Sequence, residues 1–317
     1  MPMHTLEGAV GELAASRHGV ISRRQAVAIG LHAPDLVLLV KAGFLSLAAP
    51  NVYVVASSPV TWRQRLAVAT ACCNEAGTAG FESAASLHRI DGAAEGPVVV
   101  LLAAPRRVHL DGVVVHVGPI GEVDVTLIDG IRCTTVERTL CDLASVRSEF
   151  EVQLAFEWYW RRHPDLSALQ EAVERLHRPG QSGTKVLQRL IGEARIGGVP
   201  TESALEVRLD FVLRGLPGLV RQCEVVDLAG AFVGRVDFAL PELRIAIEAH
   251  SAEFHSSDVA HRSDVRRHER LVAAGWRVRY VTSADLADPS KVWTVIQAMR
   301  RGGPGDAVPP RPPVPRT

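Results

Sequence analysis

Acidic and imidazole side chains interrupt the apolar pattern of one stretch in the last third of the chain. Residues 235–255 read RVDFALPELRIAIEAHSAEFH, with Asp237, Glu248 and His250 set among alternating apolar residues of two predicted strands. Carboxylates buried in a sheet are costly unless a cation or a hydrogen-bond donor pairs with them. Two carboxylates on one face can hold Mg²⁺ at roughly 2.0–2.1 Å. The pattern therefore raises the hypothesis that Asp237 and Glu248 bind Mg²⁺ or Mn²⁺.

The face on which these residues lie depends on the register of the predicted hairpin. Side chains alternate along a strand, so Glu248 and His250 share one face of the second strand. A turn centred at 241–242 puts Asp237 opposite Ala246 and diagonal to Glu248, roughly 7–8 Å away at the backbone. A slip of one residue would move Asp237 to the other face and remove the site.

A solvated sheet surface is the alternative interpretation of the same residues. In that case Asp237 and Glu248 pair with Arg235 or Arg244 and bind no metal. The spacing of the residues favours neither interpretation over the other. His250 is a candidate site residue only because it follows Glu248 by two positions.

The last third of the chain also supplies the elements that must surround this hairpin. TESALEVRLDFVLRGL predicts a helix with Glu206 beside its apolar stripe, and RQCEVVDL predicts a preceding strand. His255 follows the hairpin in a predicted loop that can reach the same pocket. HRSDVRRHERLVAAG predicts a helix with Arg262, Arg266 and Arg270 on one face, before the strand WRVRYVT. This face suits DNA phosphates, although a merely solvated face has the same composition.

The first 60 residues predict three short helices and a β-hairpin, the outline of a winged helix-turn-helix. Ser22 is expected to cap the second helix, and Pro34 to open the third. FLSLAAPNVYVVAS predicts the hairpin. Arg23, Arg24 and Lys41 are the candidate DNA contacts of this region.

The third predicted helix, APDLVLLVKAG, has few charges for a DNA-reading helix. It carries only Lys41 against Asp35. Its Val37 and Leu38 are equally suited to a protein-contact surface. Whether the winged helix binds DNA or a protein therefore stays open.

The pattern of elements predicts an α+β multidomain protein. The predicted segments are a winged helix-turn-helix at 1–60, a mixed α/β middle domain at 61–196, an α/β core at 197–302 with a central mixed sheet flanked by helices, and a disordered Pro-rich tail at 303–317. The cluster FEWYWRRH at 156–163 could stack on bases, but its pattern favours packing of a helix onto the middle domain.

Composition narrows the functional classes. The 317 residues are 47% apolar and 22% charged, with a formal net charge of zero, so DNA binding would depend on local patches. The five cysteines form no Cys-x-x-Cys pair, which is typical of reduced thiols in a cytoplasmic protein. Since no stretch of about 18 apolar residues occurs, no membrane span is expected.

The order Glu206, Asp237, Glu248-x-His250 resembles the PD-(D/E)xK nuclease core, with histidine in place of the usual lysine. It is most similar to the Vsr-like very-short-patch-repair endonucleases and to the related family of small Vsr-like domains. The segments SALEVRL, GRVDFALPELRIAIEAHSAEFH and RSDVRRHERLVAAGWRVRYVT carry this resemblance, which covers residues 201–302.

The resemblance implies a restriction-endonuclease-like fold and Mg²⁺-dependent hydrolysis of DNA phosphodiesters. The family positions match Glu206, Asp237, His250 and His255, and Glu248 matches the general nuclease carboxylate. Asp237 and Glu248 would hold the metal, while His250 or His255 would act as general base or steer the water. Many small family members have Asp-Gly where this chain has His-Ser. The zinc ligands of Vsr proper are missing, so no zinc is predicted.

The N-terminal part is similar to the AbiEi-type antitoxins. GVISRRQAVAIGL, VKAGFL, NVYVVA, TWRQRLAVA and TTVERTLCDLA carry the similarity, over roughly residues 1–190. It implies a DNA-binding regulator with a toxin or another protein as partner. Two functions follow from the combined resemblances. One is a DNA endonuclease in defence or repair, and the other is a regulator or antitoxin whose nuclease-like domain is catalytically inactive.

Overall fold

A computed structural model describes most of the chain. It covers residues 3–75, 77–105, 111–177, 183–196, 200–227, 229–250 and 258–310. The chain divides into two compact units, of which the first comprises Met1–Ala155 with Asp165–Gln188 and the second Phe156–Pro164 with Arg189–Thr317. Both units combine helices with a sheet, so the protein is α+β. Within the described part, no helix has the length and apolar character needed to cross a bilayer.

Three helices and three strands open the first unit. They are α1 (Met3–Ala15), β1 (Val20–Ser22), α2 (Arg23–Ala28), α3 (Ala33–Lys41), β2 (Leu45–Ala49) and β3 (Val52–Val55). The strands form an antiparallel sheet in the order β1-β3-β2. The predicted cap of α2 is confirmed, because Ser22 Oγ accepts a hydrogen bond from Gln25 N at 3.1 Å. Pro34 lies in the first turn of α3, as predicted.

The rest of the first unit contains a mixed five-stranded sheet. The elements that follow along the chain are α4 (Trp62–Glu75), β4 (Thr78–Ala79), α5 (Phe81–His88), β5 (Val98–Leu102), β6 (Val113–Val117), β7 (Val125–Ile128), β8 (Ile131–Thr134), α6 (Val136–Val146), α7 (Glu149–Arg162), α8 (Ser167–Leu176) and α9 (Gly183–Arg195). The part of α7 from Phe156 and the part of α9 from Arg189 belong to the second unit. The strand order is β6-β5-β4-β8-β7. The β5-β6 and β4-β8 pairs are parallel, whereas β4-β5 and β7-β8 are antiparallel.

The aromatic cluster at the end of α7 is part of a core. The phenylalanine, tyrosine and tryptophan side chains of Phe156–Pro164 are at most 8% exposed, so they pack instead of stacking on bases. Glu157 accepts a hydrogen bond from Thr201 N at 2.9 Å and pairs with Arg221 at 2.6 Å. This segment, predicted within the middle domain at 61–196, belongs to the second unit.

The second unit has a four-stranded sheet with helices on both faces. Its elements are α10 (Ala204–Leu213), β9 (Val220–Val226), β10 (Phe232–Leu240), β11 (Ile245–Ala249), α11 (Asp258–Ala273), β12 (Arg277–Val281) and α12 (Pro289–Arg300). The strand order is β12-β11-β10-β9. Strands β9, β10 and β11 are antiparallel, whereas α11 connects β11 to β12 so that these two strands are parallel.

Two apolar clusters cover the two faces of this sheet. Leu209 of α10 packs with Ile247 on one face, and Leu271 of α11 packs with Ala246 on the other. The alternation predicted along β11 is therefore confirmed. It places Glu248 on the same face as Ala246, toward α11.

The register of the β10–β11 hairpin differs from the predicted one. Phe238 pairs with Ile247, so Asp237 lies directly opposite Glu248. The prediction that Asp237 lies opposite Ala246 is wrong by two positions. Because a shift of two residues preserves the alternation, Asp237 and Glu248 still share a face.

The connection between the strands explains the shift. Pro241–Leu243 forms a short 3-10 turn, and Arg244 follows in the left-handed region at φ +48°. Arg244 Nη1 donates a hydrogen bond to Ala274 O at 3.1 Å, which ties this loop to the end of α11. A four-residue connection therefore replaces the two-residue turn predicted at 241–242. No local sequence pattern predicts this tertiary contact of Arg244.

The cap of α10 gives a test of how Glu206 is positioned. Ser203 Oγ accepts a hydrogen bond from Glu206 N at 3.2 Å. Ser203→Ala should lower the free energy of unfolding by about 1 kcal/mol, because this amide loses its acceptor. Urea denaturation measures the change. The control is Ser283→Ala in the exposed turn after β12, expected to change stability by less than about 0.5 kcal/mol. Indistinguishable urea midpoints for Ser203→Ala and wild type would contradict the cap.

Candidate active site

A row of polar side chains crosses the sheet of the second unit. Gln222, Asp237, Glu248 and Tyr280 occupy neighbouring register positions on β9, β10, β11 and β12. Glu248 pairs with Tyr280 in the parallel ladder, and the flanking pairs set Asp237 between Gln222 and Glu248. The strands thus bring an amide, two carboxylates and a phenol into one line.

Asp237 is the central carboxylate of this row. Its Oδ2 accepts a hydrogen bond from Ala249 N at 2.8 Å, across the hairpin. Burial raises its pKa to about 6, and the charge of Glu248 acts in the same direction. Burial and the neighbouring carboxylate therefore both favour the protonated form of Asp237.

Glu248 is bound on one side by an arginine. The residue is 7% exposed, and its Oε2 accepts a hydrogen bond from Arg267 Nη1 at 2.5 Å. Arg267 Nη2 also donates to the carbonyl of Arg235, which fixes the guanidinium. Glu248 Oε1 is buried and has no hydrogen-bond partner among the residues that the structure describes. Burial raises the pKa of Glu248 although Arg267 opposes the shift.

Glu206 joins the row from helix α10. It is buried, and its Oε2 accepts hydrogen bonds from Glu202 N at 2.8 Å and Gln222 Nε2 at 3.1 Å. Burial raises its pKa to about 7, and the charge of Asp237 adds to the effect. A carboxyl group with this pKa exchanges its proton near neutral pH, as a general acid or base must.

Gln222 has a strained backbone within β9. Its φ is +48°, in the left-handed region that residues other than glycine rarely occupy. Such strain persists only where surrounding contacts hold it, and it is concentrated at functional sites. In this conformation the side-chain amide of Gln222 contacts Glu206.

His250 follows β11 and lies beside Tyr280. Its backbone N donates to Val281 O at 2.8 Å, and its ring is edge-on to Tyr280 with centroids 5.6 Å apart. The Tyr280 hydroxyl lies 3.3 Å from His268 Nδ1 of α11. His250 is therefore held within the site by ring and backbone contacts. The other predicted histidine, His255, lies outside the described residues.

The side chains predicted to contact DNA are all exposed. They are Arg262, Arg266 and Arg270 on α11, Arg23 and Arg24 on α2, and Lys41 at the end of α3. The first three recur at intervals of four residues on the helix that also carries Arg267. The last three belong to the first unit.

Arg267, Gln222 and Tyr280 were missed by the sequence interpretation. Arg267 lies four residues before Leu271, whose side chain packs on the sheet, and this helical spacing was an available signal. The regular four-residue repeat beginning at Arg262 indicated the exposed face of the helix instead. The position of Gln222 depends on the pairing of β9 with β10, which no local pattern reveals.

The carboxylate pair fits a divalent cation with two protein ligands. In the described parts of the chain, no three or more His, Cys, Asp or Glu side chains are grouped to share one metal. Mg²⁺ is often held by one or two carboxylates, with waters and substrate phosphates completing its shell. A cation would give the unpartnered Glu248 Oε1 a partner and would lower the pKa of Asp237, whose charged form burial disfavours.

The chain matches no protein-family model and no curated protein. Its functional interpretation therefore depends on the geometry of this site.

The pKa shifts predict a pH-dependent stability that a divalent cation should oppose. The folded-state pKa values of Glu206 and Asp237 are about 7 and about 6, above their ordinary values of 4.5 and 3.8. The folded protein therefore keeps protons that the unfolded chain releases. The resulting stability is present below about pH 4 and is lost as the pH rises through 6 and 7. Mg²⁺ or Mn²⁺ should raise the melting temperature more at pH 8 than at pH 5, because protons compete with the cation.

Two substitutions connect this pH dependence to the site. Glu206→Gln and Asp237→Asn should flatten the fall of melting temperature between pH 5 and pH 8, whereas the exposed control Glu242→Gln should not. Asp237→Asn should also reduce the shift caused by Mn²⁺. Identical pH profiles for all three variants, with no cation effect at pH 8, would rule out a charged cation site here.

Proposed function

We propose that the second unit is a Mg²⁺- or Mn²⁺-dependent endonuclease that hydrolyses DNA phosphodiester bonds in defence or repair. The observation that carries the proposal is the proximity of Asp237 and Glu248, one position beyond the Phe238–Ile247 pair, with Glu206 nearby and Glu248 Oε1 unpartnered in the described structure. The order α10-β9-β10-β11-α11-β12, with parallel β11 and β12, also supports the restriction-endonuclease-like core that the resemblance implies.

Each side chain of the site has its own role in the proposed hydrolysis. Asp237 and Glu248 would hold the cation through carboxylate oxygens. When bound, Mg²⁺ lowers the pKa of a water and offsets phosphate charge. Glu206, with a pKa of about 7, accepts or releases a proton near neutral pH. His250 provides an imidazole on the same face, two residues after Glu248, to orient the attacking water.

Arg267 gives the site a cation of its own. Its guanidinium already contacts Glu248 and has the planar geometry that suits phosphate oxygens. We assign it to the scissile phosphate. The exposed Arg262, Arg266 and Arg270 on the same helix would contact the neighbouring DNA backbone without reading its sequence.

The first six elements of the chain support a winged helix-turn-helix as a second nucleic-acid contact. They comprise three helices and the antiparallel sheet β1-β3-β2. Arg23, Arg24 and Lys41 are exposed and suit DNA phosphates. Val37 and Leu38 of α3 are 53% and 47% exposed, which favours a protein, such as a toxin, as the partner of that helix face.

A second function is favoured by the ion pair between Arg267 and Glu248. A guanidinium on Glu248 Oε2 offsets part of the charge that would otherwise attract a metal. His250 also stands where the resembling nucleases usually carry lysine. With an inactive site, the protein would be a transcriptional regulator or antitoxin whose nuclease-like domain serves DNA binding.

Plasmid cleavage separates the two functions. The wild-type protein with Mg²⁺ or Mn²⁺ should nick or linearise supercoiled DNA, and EDTA should prevent it. Asp237→Asn and Glu248→Gln should each reduce the rate at least about 100-fold, since even the loss of residues that only support metal ligands reduces activity about 10–100-fold. Glu242→Gln, outside the site, should retain the wild-type rate. If the wild type binds DNA but cleaves no supercoiled, nicked or mismatched substrate, the regulator is the correct function.

A further inference from the structure

A cavity of about 210 Å³ lies within the first unit, on elements that the proposed nuclease chemistry does not use. It is lined by parts of α5, β5, β6, α6, α8 and α9. Its lining includes Phe81, His116, Gly118, Arg138, Asp142 and Thr184. Polar and aromatic groups therefore meet in one small space.

Asp142 lines this cavity and has an unpartnered buried acceptor. Its side chain is 10% exposed, and its Oδ1 accepts a hydrogen bond from Arg138 Nε at 2.9 Å. Its Oδ2 is buried and has no hydrogen-bond partner in the described parts of the chain. Leaving a buried acceptor without a donor is unfavourable, so an N–H group of a ligand at this oxygen would be stabilising.

The charges around Asp142 select against a cationic ligand. Arg138 pairs with both Asp142 and Asp124, and Arg175 pairs with Asp124 Oδ1 at 2.7 Å. Two guanidinium groups therefore already balance two carboxylates. An amine would add a third positive charge beside them, whereas a neutral N–H donor would not.

Aromatic rings form another part of the lining. Phe81 and His116 stack with ring centroids 3.9 Å apart and an angle of 24° between their planes. Rings of this kind stack favourably on planar heterocycles. The cavity is also smaller than the roughly 300–1,000 Å³ of pockets for drug-sized ligands, which limits the ligand to one small ring system.

From the unpartnered Asp142 oxygen, the balanced charge and the stacked rings, we infer that this cavity binds a nucleobase with an exocyclic amino group. The amino group donates to Asp142 Oδ2, and the ring lies against the Phe81–His116 pair. Carboxylates accept hydrogen bonds from base amino groups in the same way in DNA recognition. A free nucleoside and an unpaired base of single-stranded DNA offer the same chemistry.

Fluorescence titration of the full chain with 2-aminopurine tests the inference, because stacking quenches this amino-bearing base. Two probes distinguish the source, namely the free riboside and the same base within a short single strand. Saturable quenching by the riboside supports a nucleoside ligand, and quenching by the strand alone supports an unpaired DNA base. Absence of saturable quenching by both probes overturns the inference.

Variants locate the binding. Asp142→Asn keeps the shape of the side chain and should weaken binding about tenfold, since one charged acceptor is lost. Gly118→Leu fills the cavity, and its Cβ would meet only Leu101 Cδ1 at 3.8 Å, so this variant should fold even if Asp142→Asn does not. Exposed Glu95→Gln should bind like wild type. Quenching that persists unchanged in both cavity variants would also overturn the inference.

Discussion

The buried carboxylates Glu206 and Glu248 and the half-buried Asp237 share one site of the second unit with Arg267, and this imbalance of charge determines how the surrounding elements are used. Burial opposes the ionised forms of Glu206, Asp237 and Glu248, and Arg267 offsets the charge of only Glu248 directly. Backbone amides and the Gln222 side chain stabilise part of the remaining charge. Burial therefore raises the pKa of all three carboxyl groups, to about 7 for Glu206 and to about 6 for Asp237.

The strands and helices around the site hold these charged side chains in place. The row of strands fixes Asp237 against Glu248, while α10 brings Glu206 from one side and α11 brings Arg267 from the other. The strained Gln222 connects the row to Glu206. A sheet with helices on both faces can thus assemble groups from distant parts of the sequence.

Local patterns in the sequence predicted the shared face of Asp237 and Glu248 but not their register. The alternation along β11 depends only on neighbouring residues, whereas the loop of Pro241–Leu243 depends on the contact of Arg244 with α11. Likewise, Arg138 and Asp142 are four residues apart, a spacing typical of a pair on one helix face. Their burial with Asp124 and Arg175 has no local sequence pattern, because those two residues come from other elements. The Ser22 cap of α2, which involves residues three apart, was predicted correctly.

Anomalous X-ray diffraction from crystals soaked in Mn²⁺ at pH 8 tests the central claim most directly. The charge imbalance predicts a manganese peak between the carboxylates of Asp237 and Glu248, and its loss in Asp237→Asn. A map with no peak there, and with Arg267 still bound to Glu248, would contradict a cation site.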